Sequence, residues 1–447
     1  MRRFGVERIV YAIGALGGGV RGYELGVVAA ALLFAAPDLH MSPAITGTVV
    51  SAALFGSLVA ALAAGALADA LGRQKVIALA AIVFSLGILG AALSPNVKVL
   101  ILSRLVLGAA VGLATVIIPI YISEMAPART RGASTGLFQV MIYGGVLASS
   151  IAGIALAPFS AWRWMFGIGL LPALIMFVGA YFLPESPRWL VRHGQEAKAR
   201  MVLARFRGVE SVDLELEGIR DIIAKERSQI GLGAILRFPK LRKWLIVGSG
   251  LGILQQLVGI NAVTYYAPTV LKGIGFSVEE SILANVGFSA LGLVMTVVMA
   301  QFIADKVGRR IPLMLGAIGM SISMAALGIV LTKAHDQMRL GFIVVACLAL
   351  FQICFALSWG GMIWIVLGEM FPLSVRGTAM GVAVFMAEAT SVLVGFIFPV
   401  MLTHGSAWIF QSFAGMGLIA FLWVAFMLPE TKHLSLEDIE LQLLLGQ

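Results

Sequence analysis

The chain has 447 residues, of which 60% are hydrophobic and only 12% charged, and its mean hydropathy is +0.98. A water-facing globular surface needs far more charge, so the solvent for most of this chain is lipid. The net charge of +9 would suit nucleic acid, but the positive residues sit in the gaps between apolar runs, where they act as orientation signals and exclude that partner.

Apolar runs of about 20 residues without period-two alternation cross a bilayer as helices and argue against a membrane barrel. At the start, Arg2, Arg3 and Arg8 precede a run as the positive end of a secretory signal would. That run continues past Gly17, Gly18 and Gly19 to Phe34, long enough to span, which predicts an uncleaved first helix. Runs and breakers then predict helices over about 9–33, 44–68, 76–95, 98–123, 130–156 and 162–183. A charged stretch follows, and six further helices are predicted over about 243–271, 281–304, 310–332, 339–369, 375–402 and 406–428.

With the N-terminus in the cytoplasm, five of the 32 Lys and Arg lie outside (Lys98, Arg163, Lys272, Lys333 and Arg339) and two within helices (Arg21 and Arg104). The remainder fall on the cytoplasmic side, so both termini are predicted there. The charged stretch mixes signs at helical spacing, as in Glu196/Arg200 and Asp221/Lys225, and reads as short surface helices. The expected organisation is an N-terminal bundle over 1–183, a cytoplasmic linker over 184–242, a C-terminal bundle over 243–428 and a short tail over 429–447. Cys347 and Cys354, seven positions apart in one helix, would have Cα atoms about 10 Å apart, beyond disulfide reach.

The two halves repeat each other. G-A-L-A-D-A-L-G-R from Gly65 recurs loosely as Q-F-I-A-D-K-V-G-R-R from Gln301, which places Asp69 and Asp305 alike. Y-I-S-E-M-A-P-A-R-T-R-G from Tyr121 matches V-L-G-E-M-F-P-L-S-V-R-G from Val366, and P-E-S-P-R from Pro184 matches P-E-T-K from Pro429. The Glu124/Glu369 and Glu185/Glu430 offsets are both 245. Three motifs repeated in order indicate duplicated halves, as transporter folds with a midplane site require.

Together with R-L-x-x-G-x-x-x-G from Arg104, P-E-S-P-R-W-L from Pro184 and Q-Q-L-V-G-I-N from Gln255, these motifs resemble those of the sugar-porter family of the major facilitator superfamily, from Gly14 to Ile439. The resemblance implies an all-α polytopic membrane protein of 12 transmembrane helices in two pseudo-symmetric six-helix bundles, moving a small polyhydroxylated solute by alternating access. It implies that Gln255, Gln256 and Asn261 on helix seven and Gln139 on helix five hold sugar hydroxyls, that Trp364 stacks on the sugar ring, and that Tyr265 and Tyr266 close over it. Chemically the amides fit, because each offers donor and acceptor together, as a hydroxyl does, and Gly259 permits a break in helix seven. The blander readings are interhelical bonding by the amides and an interfacial belt for the aromatics. A cytoplasmic gate is expected from Asp69, Arg73, Glu124, Arg131, Glu185 and Arg188 with Asp305, Arg309, Glu369, Arg376 and Glu430, pairing across the halves.

Glu24, inside helix one, occupies the position where proton-coupled family members carry an aspartate, and Arg104 matches the arginine that pairs with it. An intramembrane carboxylate is a functional candidate, and movement of Arg104 would switch it between holding and releasing a proton. A static ion pair is the alternative.

The family pattern fails at three places. Arg21 replaces a cavity aromatic, Gly292-Leu293-Val294 lack the expected asparagine, and Ala387-Glu388 stand where amide and tryptophan side chains usually point inward. Arg21 and Arg104 against Glu24 and Glu388 sum to zero, which makes burial tolerable if they pair. A neutral sugar or polyol with a proton is therefore expected, with a sugar acid or other organic anion held by Arg21, or an uncoupled facilitator, as alternatives. A transporter-like sensor lacks a signalling tail. Five histidines without ligand spacing, no phosphate loop and no nucleophile elbow speak against metal, cofactor and enzyme chemistry, and a monomer in the cell membrane is expected.

Overall fold

A computed structural model describes residues 3–125, 131–207, 212–226, 232–303, 306–332, 337–371 and 375–430. The predicted tail from 431, Asp305 and the side chain of Arg131 lie outside the described residues. Every regular element among the described residues is helical, and 12 helices are long and apolar enough to cross a membrane. Spans 1 to 6 are Ala12–Asp38, Pro43–Leu71, Arg73–Ala92, Val97–Met125, Leu137–Phe159 and Trp162–Phe182. Spans 7 to 12 are Pro239–Gly273, Val278–Ile303, Arg310–Thr332, Gly341–Met370, Arg376–Thr403 and Ala407–Met427. All 12 overlap the predicted runs. Span 10, predicted as continuous, is interrupted by a turn between Leu357 and Met362 that includes Gly360 and Gly361. Cys347 and Cys354 are free thiols.

By internal contacts the chain forms two compact units. Unit 1 comprises Met1–Val27, Ala52–Ala152 and Ser160–Ser228, and unit 2 comprises Val28–Ser51, Gly153–Phe159 and Gln229–Gln447. Most of the predicted linker therefore folds with unit 1. Lipid offers no hydrophobic drive between helices, so contact depends on how closely their backbones approach, and glycine sets that distance. In unit 1, a Cβ on Gly22 of span 1 would lie 1.8 Å from the Ile142 carbonyl oxygen of span 5, and one on Gly108 of span 4 would lie 1.8 Å from the Ala53 oxygen of span 2. Gly108→Ala is accordingly expected to force spans 2 and 4 apart, at about 1–3 kcal/mol for overpacking, and to lower the melting temperature of the purified protein. Gly65→Ala is the control, because nothing lies within 4 Å of its added methyl.

The linker forms helices Pro187–Arg192, Glu196–Arg207 and Val212–Glu226. Leu190, Ala199, Leu203, Val212, Leu216 and Ile219 close a small apolar core between them. That core brings charges of neighbouring helices together. Arg200 meets Asp213 at 2.6 Å, and Arg220 meets Glu196, each across two helices. The Glu196 carboxyl is held below its ordinary pKa, first by the Arg220 hydrogen bond.

In unit 2, span 7 is two helices, Pro239–Leu257 and Ile260–Gly273, joined at Val258 and Gly259. Gly259 has φ +99°, a left-handed conformation that costs any other residue a steric penalty, so the break anticipated there is built into the backbone. Span 8 ends in a π-helical turn, Met299–Ile303, with the Met299 methyl against Gly361 at the break in span 10.

Candidate functional site

In unit 1, Glu24 on span 1 and Arg104 on span 4 are both almost fully buried, at 5% and 1% exposure, and meet at 2.6 Å between Oε1 and Nη1. A buried pair that loses one member strands the other, at about 3–5 kcal/mol. Three residues before Glu24, half-buried Arg21 donates from Nη1 to the Thr115 hydroxyl of span 4 at 2.9 Å. Thr115 was not singled out from sequence, since a lone threonine in an apolar helix usually bonds its own backbone. Gln139 stands half-buried on span 5 of the same unit.

Unit 2 gathers the amides of span 7 at the helix break. Gln255 donates to the Trp359 carbonyl in the broken part of span 10 (2.8 Å), Gln256 donates to the Gln255 amide oxygen (3.2 Å), and Asn261 donates to the Gln256 oxygen (3.0 Å). Asn261 also donates to the Ser391 hydroxyl of span 11 at 2.7 Å. These bonds run in one sense, from Asn261 to the Trp359 carbonyl. The Asn261 carbonyl oxygen and the second Gln256 N–H are additional to them, an acceptor and a donor a hydroxyl would satisfy. Trp359 and Ser391 had not been picked out. Trp359 is fully buried, with its indole N–H on the Leu313 carbonyl at 2.8 Å, and it anchors the amides through its backbone. Trp364 is half-buried on the second segment of span 10.

Tyr265 and Tyr266 are each 1% exposed, which removes the interfacial-belt reading. The Tyr266 hydroxyl bonds the Gly395 carbonyl of span 11 at 3.0 Å, and its ring lies 5.1 Å from that of Phe398. Near these rings, a Cβ on Gly47 would lie 2.3 Å from the Phe396 carbonyl oxygen, so the start of span 2 is pressed onto span 11 within unit 2.

The repeated charges build the same clamp twice. Arg73 forks onto Glu124 (Nε to Oε2 3.2 Å, Nη2 to Oε1 3.3 Å), and Arg309 forks onto Glu369 (3.1 and 2.9 Å between the same atoms). Glu185 accepts the backbone N–H groups of Arg73 and Gln74 at 2.9 and 3.4 Å, and Glu430 accepts those of Arg309 and Arg310 at 3.0 and 3.2 Å. Each carboxylate thus sits on a helix N-terminus, where orphan N–H groups and the helix dipole favour negative charge. The motif glycine makes this possible. Gly72 and Gly308 have φ +98° and +90°, and a Cβ would lie 2.2 and 2.9 Å from the Glu185 and Glu430 oxygens. Burial raises the Glu185 pKa above the ordinary carboxylate value, against the lowering effect of the Ser186, Arg73 and Gln74 N–H groups and the Arg73 charge.

Asp69 completes the first clamp, bonding Arg73 at 3.0 Å and Arg192 at 3.2 Å. Arg192 was not foreseen. Arg188, predicted for this cluster, lies half-buried on the same short helix, and Arg376 donates to the Phe371 carbonyl at 3.1 Å. Arg73 with Glu124 and Arg309 with Glu369 are thus each brought together within one half.

Twelve apolar spans, a doubled charge clamp and polar groups buried at mid-span define a multi-pass membrane transporter of the major facilitator fold, not an enzyme. The sequence profile of the "Sugar (and other) transporter" family matches residues 10–443, and the chain belongs to that family. It is 38% identical to the glucose transporter GlcP of Staphylococcus epidermidis over 97% of both chains. It is 34% identical to the galactose-proton symporter of Escherichia coli over 97% of this chain and 94% of the relative. Among solved structures, the proton:xylose symporter XylE bound to 6-bromo-6-deoxy-D-glucose matches with a TM-score of 0.79 at 27% identity, covering 98% of this chain and 99% of that one.

Proposed function

We propose that this protein is a proton-coupled symporter of a neutral sugar or polyol, working by alternating access as a monomer in the cell membrane with both termini in the cytoplasm. The observation that carries this is the chain of amides at the break in span 7, Gln255, Gln256 and Asn261, completed by Ser391 and anchored on Trp359. An uncompensated amide in hydrocarbon is costly, so three placed where the helix is already interrupted point to a polar ligand. Gln139 adds a contact from span 5, Trp364 an apolar face for the sugar ring, and Tyr265 and Tyr266 an aromatic cover. Glu24 carries the proton and Arg104 displaces it, which their buried contact supports. Arg21, bonded to Thr115, serves the unit 1 interior rather than a substrate carboxylate. The clamps of Arg73 and Arg309 hold the cytoplasmic helix ends as rigid bodies, so that substrate need only bias a balanced equilibrium. A potential of 100 mV supplies about 2.3 kcal/mol per charge, above the roughly 1.4 kcal/mol that a tenfold gradient of neutral solute requires.

Counterflow in proteoliposomes with labelled hexoses, pentoses, inositols and sugar acids tests the reading. Exchange of a neutral member of the panel, with uptake driven by an inward proton gradient, is the expected result; exchange of glucuronate alone overturns it.

A further inference from the structure

We infer that residues 232–243, where the chain enters span 7, form a docking surface for an anionic phospholipid, whose headgroup phosphate is taken by cations and whose upper acyl chains are taken by apolar side chains.

Between Glu226 and Glu279 the chain carries no Asp or Glu, and within that stretch Arg237, Arg242 and Lys243 fall on either side of the start of span 7. Pro239 is the first residue of the span, and a proline disfavours helical backbone in the residue before it. Phe238 is accordingly extended, at φ −90° and ψ 113°, so Leu232–Arg237 is a separate short helix joined to the span by one residue. The first turn of a bilayer span lies at the boundary between water and hydrocarbon, and a helix tied so closely to it lies there too.

Ile235 of the short helix is 1% exposed, whereas Leu232, Leu236 and Phe238 stand at 40, 48 and 58%. Leu232 and Leu236 are one turn apart and share a helix face. Arg237, Arg242 and Lys243 are exposed as well, and among the described residues no side chain pairs with any of the three. Exposed leucine and phenylalanine are costly in water and unpaired cations are costly in hydrocarbon, so only the interface suits both. There, juxtamembrane cations attract anionic lipid by about fivefold in affinity for each Lys or Arg near the surface.

A phospholipid brings phosphate and acyl chains in one molecule and so meets both parts of this surface, whereas free phosphate meets only the cations. The chain's own tail, with Glu437, Asp438 and Glu440, is the competing occupant. Lipid is favoured because Ile246, one turn beyond Arg242, is also exposed, so apolar surface carries on into the span, where acyl chains cover it. A lipid held here ties to the bilayer surface the stretch at which the chain passes from unit 1 to unit 2.

The test is competition between phosphatidylglycerol and phosphatidylcholine of the same acyl chains for purified full-length protein, read by native mass spectrometry as the ratio of the two bound lipids. In the wild type, phosphatidylglycerol is expected to be preferred at least about tenfold at low salt, and severalfold less at about 500 mM, where charges are screened. Arg242→Gln with Lys243→Gln should lower the preference at least about fivefold. Leu236→Ser with Phe238→Ser should lower the phosphatidylglycerol retained by about fivefold. Lys198→Gln with Arg205→Gln removes two exposed cations from the helix Glu196–Arg207 and should leave the ratio within about twofold. An equal drop in that control pair assigns the preference to net charge and overturns the proposal. So does displacement of the lipid by glycerol 1-phosphate, which assigns the cations to a soluble phosphate, and so does a severalfold gain in lipid on deleting 431–447, which makes the tail the occupant. Should the Arg242/Lys243 variant fail to insert, the wild-type ratio, its salt dependence and the Leu236/Phe238 variant still decide, and a wild-type ratio near one at low salt overturns the proposal.

Discussion

Glu24→Gln is expected to abolish uphill accumulation in proteoliposomes under an imposed proton gradient, bringing the internal-to-external ratio to one, while counterflow of the same solute continues within severalfold of wild type. The amide keeps an oxygen facing Arg104 but has no proton to load or release. The carboxylate and guanidinium meet at 2.6 Å with 5% and 1% exposure. Both substitutions strand a buried charge, Arg104 in Glu24→Gln and Glu24 in Arg104→Ala, at up to about 3–5 kcal/mol, and both are expected to lower the yield of folded protein. The amide oxygen of Glu24→Gln still accepts from the guanidinium, so the loss is smaller there than in Arg104→Ala. If well-folded Glu24→Gln loses exchange and accumulation together, the pair is a structural pin between spans 1 and 4, and coupling lies elsewhere.

Asn261→Ala should raise the half-saturating solute concentration in counterflow at least about fivefold, with a smaller change in maximal rate. Asn261 is the turning point of the amide chain, holding Gln256 at 3.0 Å and Ser391 at 2.7 Å. Its loss removes an acceptor for the solute and frees both neighbours from their orientation. At about 1–3 kcal/mol for an unsatisfied buried polar group, the expected loss of affinity is roughly five- to 150-fold. Asn261→Asp keeps an acceptor but, as a carboxylate, donates to neither Gln256 nor Ser391, so both bonds are lost and the effect should be at least as large as in Asn261→Ala. Unchanged saturation in Asn261→Ala would sink the assignment of this helix break as the solute site.

The motifs D-x-x-G-R, E-M and P-E were legible in sequence because each residue in them has a local task. Gly72 and Gly308 supply a positive φ, and the arginine and glutamate of each half recur at fixed offsets. The break in span 7 was legible for the same reason, since a glycine in an apolar run announces a backbone that another residue could not adopt. The break in span 10 was not. Ser358 to Gly361 read as part of a continuous apolar run, and only the Gln255 bond to the Trp359 carbonyl, 104 positions away in the chain, gives that turn its role. Ser391 and Thr115 were silent for a related reason, because an isolated hydroxyl in an apolar helix carries no sign of whether its partner is its own backbone or another span.

By itself the sequence determined the lipid solvent, the number of spans and the internal repeat, together with the residues at which chemistry could occur. These follow from hydropathy, helix length and local backbone preference, all of which act over a few turns of chain. Only the tertiary structure decided which charges meet, that the clamps close within each half, that Tyr265 and Tyr266 are interior, and that the amides form one directed chain ending on span 10. Those outcomes depend on which backbones approach to contact distance, and in lipid that is set by the packing of small residues from segments far apart in the chain.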